Sequence, residues 1–246
     1  MKQRSVMIRT VLAAIMLLFM LSGCSFFESL LGIDHGGEPE GDAGELMSQG
    51  TDDMSAGRYK SAVDAFQKVK DRFPYSKYAV VAELRMADAL YLQEEYDPAY
   101  VAYDEFEKLH PKHKDIPYVI YQKAMCNFSQ IVSKDRDQSH TLKAKEEFER
   151  LIKRFPRDDY ANKARKNLRE CLIYLADHEL FVGNYYYKRG RYRAALGRYT
   201  YIINTYPDMG QYQDAMEGIS RCQEKIAKET AQGGTWRSYW PFSMWQ

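Results

Sequence analysis

The chain has 246 residues, and its 35 Lys and Arg stand against 34 Asp and Glu. So close a balance offers no electrostatic footing for nucleic acid as a partner. A hydrophobic content of 45% with 14% aromatics fills a substantial core, and 28% charged residues is ordinary for a water-facing domain. Wholesale disorder and a protein of many membrane spans are both excluded.

Lys2, Arg4 and Arg9 precede an uninterrupted apolar run of 11 residues, Val11 to Leu21. A spanning helix needs about 20, so residues 1–23 read as a secretory leader. Leu21-Ser22-Gly23-Cys24 closes it, a small-residue cleavage site with cysteine behind it. This tetrapeptide resembles the bacterial lipoprotein box. The resemblance implies diacylglycerol on the Cys24 sulfur and a fatty acyl group on the new amino terminus, with no other cofactor. Several acyl chains at about 0.8 kcal/mol per buried methylene make a stable anchor. By the same resemblance, Ser25 favours the outer membrane over the inner one. A chance cysteine after an ordinary secretory signal is the competing reading. Without the leader, 32 basic and 34 acidic side chains remain. Residues 24–43, with Gly32, Gly36, Gly37, Pro39 and Gly41, read as the lipidated cysteine and a flexible tether.

A repeat follows. In Ala62-Phe66-Pro74, Ala99-Tyr103-Pro111, Ala144-Phe148-Pro156 and Ala195-Tyr199-Pro207 an alanine precedes an aromatic by 4 positions and a proline by 12. Gly50, Ala87 and Gly183 each lie 12 positions before their alanine. Small residues let two helices approach, the aromatic fills the space to the neighbouring pair, and proline ends the second helix because it lacks an amide hydrogen. The pattern resembles the tetratricopeptide repeat, a helix-turn-helix unit. Gly57-Arg58-Tyr59 and Gly190-Arg191-Tyr192 place glycine where a helix ends left-handed, and Asp97-Pro98 reads as an N-cap followed by proline at the first helical position.

The prolines recur after 37, 45 and 51 residues, which locates the insertions. A polar loop, Ser133 to His140, precedes the second helix of copy three. Tyr160 to Lys188 reads as one helix of up to 29 residues, about 43 Å long; its first half caps copy three and its second half opens copy four. Tyr212 to Glu229 supplies a last, unpaired first helix. The expected fold is therefore all-α, a lipid-anchored tetratricopeptide superhelix over residues 44–229 with about five helix pairs, the last incomplete. Residues 230–246 form a tail holding Trp236, Trp240 and Trp245, all of the chain's tryptophans. It suits a membrane interface, a partner groove, or packing on the last repeat.

No catalytic constellation is legible. Gly218-Ile219-Ser220-Arg221-Cys222 lacks the second glycine of a nucleophile elbow. His110 and His113 are the only close histidine pair, and they straddle a helix end with no third ligand nearby, so no metal is expected and His110 reads as a helix-terminal cation. Cys126, Cys171 and Cys222 sit in apolar, helical sequence and read as buried small hydrophobes, a single pair in an oxidising compartment being the minority reading. Lys143 to Arg150 reads as a solvated face with charges four apart. Tyr75, Tyr78, Tyr118 and Tyr121 fall outside the repeat positions and divide between core and groove.

Arg72-Phe73-Pro74-Tyr75-Ser76-Lys77-Tyr78, His110-Pro111-Lys112-His113 with Ile116-Pro117-Tyr118-Val119, Asp135-Arg136-Asp137-Gln138, and Tyr185-Tyr186 ahead of Arg189-Gly190 resemble the BamD (ComL) family of outer-membrane assembly lipoproteins. The likeness runs from the anchor through copy four and leaves out the aromatic tail. It implies a non-enzymatic subunit of the β-barrel assembly (BAM) complex on the periplasmic face of the outer membrane. Its implied partners are unfolded outer-membrane protein precursors, a BamA-like barrel subunit met through a POTRA domain, and other BAM lipoproteins. By position, Arg198 matches the arginine that meets an acidic residue of the barrel subunit, with a merely solvated arginine as the alternative. Tyr75, Tyr78 and Arg85, near the first junction between repeats, are the candidates for precursor binding. Another tetratricopeptide lipoprotein acting as scaffold or adaptor, a pilus pilotin or a periplasmic protease adaptor, is the alternative reading.

Overall fold

A computed structural model describes residues 42–231; the leader, Cys24, the tether up to residue 41 and the tail from residue 232 lie outside the described residues. The described residues form helices α1 (Ala43–Ser55), α2 (Tyr59–Arg72), α3 (Ala79–Leu92), α4 (Tyr96–Leu109), α5 (Ile116–Phe128), α6 (Ser139–Arg154), α7 (Asp159–Lys188), α8 (Tyr192–Thr205) and α9 (Tyr212–Ala231), and no strand. Each helix packs on the next in the chain. α1/α2, α3/α4, α5/α6 and α7/α8 are four helix pairs, and α9 is the incomplete fifth.

The repeat positions are the core. Ala62, Ala99, Ala144 and Ala195 are fully buried, as are Phe66, Tyr103, Phe148 and Tyr199. The close approach that the small residues allow is measurable at the first pair. A Cβ at Gly50 would stand 2.5 Å from the Phe66 ring, closer than any packing tolerates.

All four second helices end alike. Phe73, His110, Phe155 and Tyr206 each precede a proline, leave helical geometry at φ between −124° and −132°, and donate their amide to the carbonyl four residues back. The proline ring forbids helical geometry to its predecessor, so one residue type sets the stop in every copy.

The turns inside the pairs follow the glycines where there are any. Gly57 and Gly190 both sit at φ +73°. The second pair carries Glu94 in the same place at φ +65°, a geometry that costs a side-chain-bearing residue about 1–2 kcal/mol. Glu94→Gly is expected to raise the unfolding free energy by about 0.5–1 kcal/mol, the relief less the added chain entropy; urea unfolding of the two proteins measures it. Here the N-cap expectation is corrected. Glu95 is the N-cap of α4, and Asp97 and Pro98 lie inside the helix, where Asp97 accepts from Gln130 Nε2 of the next pair at 3.1 Å.

The polar insertion of copy three also begins and ends earlier than the sequence indicated. Ser139 and His140 already belong to α6, and the loop is closed on itself by Ser133 with Asp135 and Ser139 with Asp137. His178 of α7 ties the loop down through a 2.6 Å hydrogen bond between Nδ1 and the Lys134 carbonyl. α7 has 30 residues, one more than expected, with Asp158 as N-cap accepting from the Tyr160 amide at 2.8 Å.

Cys126, Cys171 and Cys222 are free and buried, and burial pushes the thiols of Cys126 and Cys171 up to about 12. The solvated-face reading of Lys143 to Arg150 holds for Lys145 and Glu149, which pair at 3.1 Å, and fails for Glu147 and Arg150. Those two turn inward to an ion network between the second and third pairs. Its centre is Lys123, with Nζ 2.5 Å from Asp104, 3.3 Å from Glu107 and 3.5 Å from Glu147. Arg150 forks onto Glu107 at 2.6 and 2.8 Å.

Candidate functional site

Because α3 and α5 are the first helices of adjacent pairs, they lie side by side and leave a groove of about 600 Å³ between them. Val80, Val81 and Leu84 of α3 give it one apolar wall; Tyr118 of α5 and Tyr160 of α7 give an aromatic one. Arg85 and Asp88 line it from α3, and His113, Lys114 and Asp115 from the turn before α5. Its size falls in the range of small-ligand and peptide-side-chain pockets.

The polar part of the groove is organised by Asp88, which is only 5% exposed. Its Oδ1 accepts from the hydroxyls of Tyr103 at 2.7 Å and Tyr118 at 2.6 Å, and its Oδ2 from Arg85 Nη1 at 3.2 Å. Gln122 Nε2 donates to both tyrosine oxygens, at 3.4 and 3.2 Å. Burial pushes the Asp88 carboxyl above its ordinary range, against the pull of the two hydroxyls and Arg85. Burial and the Asp88 charge together push both phenols upward, so they stay protonated donors. The arrangement is rigid because Tyr103 is itself the core aromatic of the second pair.

Arg85 is more than half exposed, with one face spent on Asp88 and the rest open to the groove. The structure thus brings Arg85 together with Tyr118 and Tyr160, and leaves the other two candidate residues apart from it. Tyr78 packs against the core of the first pair with Lys77 Nζ 4.9 Å above its ring. Tyr75 is fully exposed in the turn before α3. Of the four extra tyrosines, Tyr118 is a groove residue; Tyr121 stacks between Phe148 and Tyr160 in the core, at 5.9 and 5.5 Å.

Asp88 escaped sequence reading, yet a signal for it existed. An acid or amide follows the small residue wherever the core aromatic is tyrosine: Ala87-Asp88 with Tyr103, Gly183-Asn184 with Tyr199, whose hydroxyl donates to Asn184 at 2.8 Å. Where the aromatic is Phe66, the position holds Thr51.

Arg198 lies on α8 with 44% of its side chain exposed and pairs with Glu179 of α7 at 3.0 Å. It is therefore not simply solvated. His110 Nε2 contacts Glu83 Oε2 at 2.7 Å from the C-cap position of α4. Among the described residues no three His, Cys, Asp or Glu side chains are grouped to hold a metal ion.

Antiparallel helix pairs built on the alanine-aromatic-proline positions, with a polar-floored groove between first helices, define a tetratricopeptide-repeat protein. The family model described as YfiO, outer membrane lipoprotein, matches residues 39–233, and the chain belongs to that family. Among its relatives, the outer membrane protein assembly factor BamD of Neisseria meningitidis serogroup B is 29% identical over 75% of this chain and 73% of its own. That of Caulobacter vibrioides is 32% identical over 70% of this chain and 56% of its own. A tetratricopeptide repeat protein from Parabacteroides merdae, 14% identical, covers 77% of this chain and 79% of its own at a TM-score of 0.41.

Proposed function

We propose that the protein is a non-catalytic subunit of the machine that assembles β-barrel proteins into the outer membrane, and that it receives unfolded precursors in the groove between α3 and α5. Its relatives of the same family are outer membrane protein assembly factors. The observation that carries the reading is the groove's make-up: an apolar and aromatic channel with Arg85 and Lys114 at its rim. An extended peptide that ends in an aromatic residue and a carboxylate finds both of its features answered there. The lipid anchor at Cys24 and the periplasmic orientation belong to the same proposal, as does docking of the barrel subunit on the face that carries Arg198.

A photo-crosslinker at Val81, which is exposed on the groove wall, tests precursor reception in cells. Adducts with unfolded barrel proteins are expected, and Arg85→Gln is expected to reduce them several-fold. Adducts confined to pilus or protease components would refute the assignment. For Arg198, reversal to Glu sets two carboxylates face to face across α7 and α8, so the single variant confounds partner loss with local strain. The swap Arg198→Glu with Glu179→Arg restores the internal pair. Association with the barrel subunit is expected to stay weakened in the swap; recovery would make Arg198 a structural residue only.

A further inference from the structure

Since successive helices run antiparallel, the turns that follow α2, α4 and α6 emerge at the same edge of the array: residues 73–78, 110–115 and 155–158. One side-chain link crosses between neighbouring pairs at this edge: Arg154 donates to the Pro111 carbonyl at 3.4 Å.

This edge carries a series of exposed cations. Arg72, Lys77, Lys112, Lys114, Arg157 and Lys166 are all exposed, and none of them has a carboxylate partner among the described residues. Unpaired like charges along one edge repel one another and cost stability unless something anionic meets them.

The same edge carries the two most exposed large apolar side chains among the described residues. Tyr75, 102% exposed, stands between Arg72 and Lys77; Leu109, 63% exposed, stands just ahead of Lys112 and Lys114. They sit on separate turns, one helix pair apart, and so do not make the contiguous apolar patch that the centre of a protein interface requires. Single tyrosine and leucine tips among lysines and arginines suit a lipid surface instead. The cations meet phosphates, the phenol lies at headgroup depth and the leucine reaches the acyl boundary. Membership of an outer-membrane family puts a bilayer within reach.

We propose that the edge formed by the turns between helix pairs, with its unpaired cations and the Tyr75 and Leu109 tips, docks on anionic phospholipid headgroups. Contact of this kind sets the orientation of the array against the bilayer, which a single point of attachment cannot do, and it operates whether or not Cys24 is acylated.

The test uses the full mature chain, residues 24–246, made without acylation by Cys24→Ser, and co-sedimentation with vesicles. Binding is expected to be weak on phosphatidylethanolamine alone and to rise when about a quarter of the lipid is phosphatidylglycerol. It is expected to fall about tenfold on raising salt to about 0.5 M, where exposed charges are screened within a few ångströms. The combined variant Lys77→Gln, Lys112→Gln, Arg157→Gln, Lys166→Gln is expected to lose about tenfold in partitioning with an unchanged thermal midpoint, and Tyr75→Ser to lose a further several-fold. Equal binding to both vesicle types overturns the proposal, as does an unaltered quadruple variant. Loss of binding on deleting residues 235–246 with the cations intact assigns the contact to the tail and overturns it too. Normal vesicle binding by the quadruple variant with loss of a co-purifying subunit gives the edge to a protein partner. None of these outcomes touches the groove, whose test stands separately.

Discussion

Lys123→Ala is expected to lower the unfolding free energy by about 3–5 kcal/mol, the usual result of removing one partner from a buried ion cluster. Lys123 is a fully buried ammonium, 4% exposed, facing Asp104, Glu107 and Glu147, with the Tyr100 ring 5.1 Å away. Burial by itself pulls such an ammonium down, yet the Asp104 hydrogen bond and the surrounding carboxylates outweigh it and hold Lys123 above its ordinary value. Arg150 and Arg154 still reach Glu107 in the variant, Lys108 still reaches Asp104 and Arg150 still reaches Glu147, but all three carboxylates lose their one buried common counter-ion. Lys123→Met, which keeps most of the apolar stem, is expected to recover only a minor part of the loss. Urea unfolding measures both variants.

The pH dependence separates charge from packing. Burial pushes Asp104 and Glu107 up, but hydrogen bonds and charge from Lys108, Lys123 and Arg150 more than offset it and hold both below their ordinary 3.8 and 4.5. Stability from a carboxylate lowered in this way is fully present above the ordinary value and is lost as the pH falls through the lowered one. The gap between native protein and Lys123→Ala is therefore expected to shrink in that acid window. A gap that stays constant from neutral pH downward would mean that the loss is one of packing alone.

Tyr199→Ala is the second large effect, with an expected cost of about 3–5 kcal/mol. The ring is fully buried and wedged between two helices. A Cβ added at Gly183 of α7 or at Gly218 of α9 would each fall 2.7 Å from it, on opposite edges of the ring. The inner face of the unpaired α9 packs through Ala215, Ile219 and Cys222 in the cluster that this ring joins. In a repeat array, contacts reach only neighbouring units, so the damage is expected to stay local. Hydrogen exchange should show α8 and α9 unprotected while α2 to α4 keep their protection. Gly183→Ala alone presses on the ring and is expected to cost about 1–3 kcal/mol; combined with Tyr199→Ala it fills part of the void, so the two changes are non-additive. Simple additivity would show that something other than the ring excludes a side chain at 183.

The repeat frame was legible because each element of it rests on a local rule. Proline stops a helix through its own missing amide and its effect on the preceding residue, glycine alone takes φ +73° without strain, and a buried alanine and aromatic twelve and sixteen positions beyond a small residue need no distant information. Arg85 could be placed near a junction from the chain alone, and the buried fate of the three cysteines followed from their apolar neighbours.

What the sequence could not decide are the arrangements that pair residues from different helix pairs. Lys143 to Arg150 reads as a solvated stripe because four-residue spacing is the same for an outward pair and for an inward one; only the packing of α6 on α4 and α5 turns Glu147 toward Lys123 and Arg150 toward Glu107. Asp97 looked like a cap because Asp-Pro carries that signal, but the turn fixed by Glu94 starts the helix earlier. Asp88 becomes the floor of the groove only when Tyr103 and Tyr118, 15 and 30 residues away, converge on it. The backbone periodicity of the solenoid is thus written residue by residue. The site and the charge network depend on which side chains the superhelix brings side by side, a distance that no local spacing encodes.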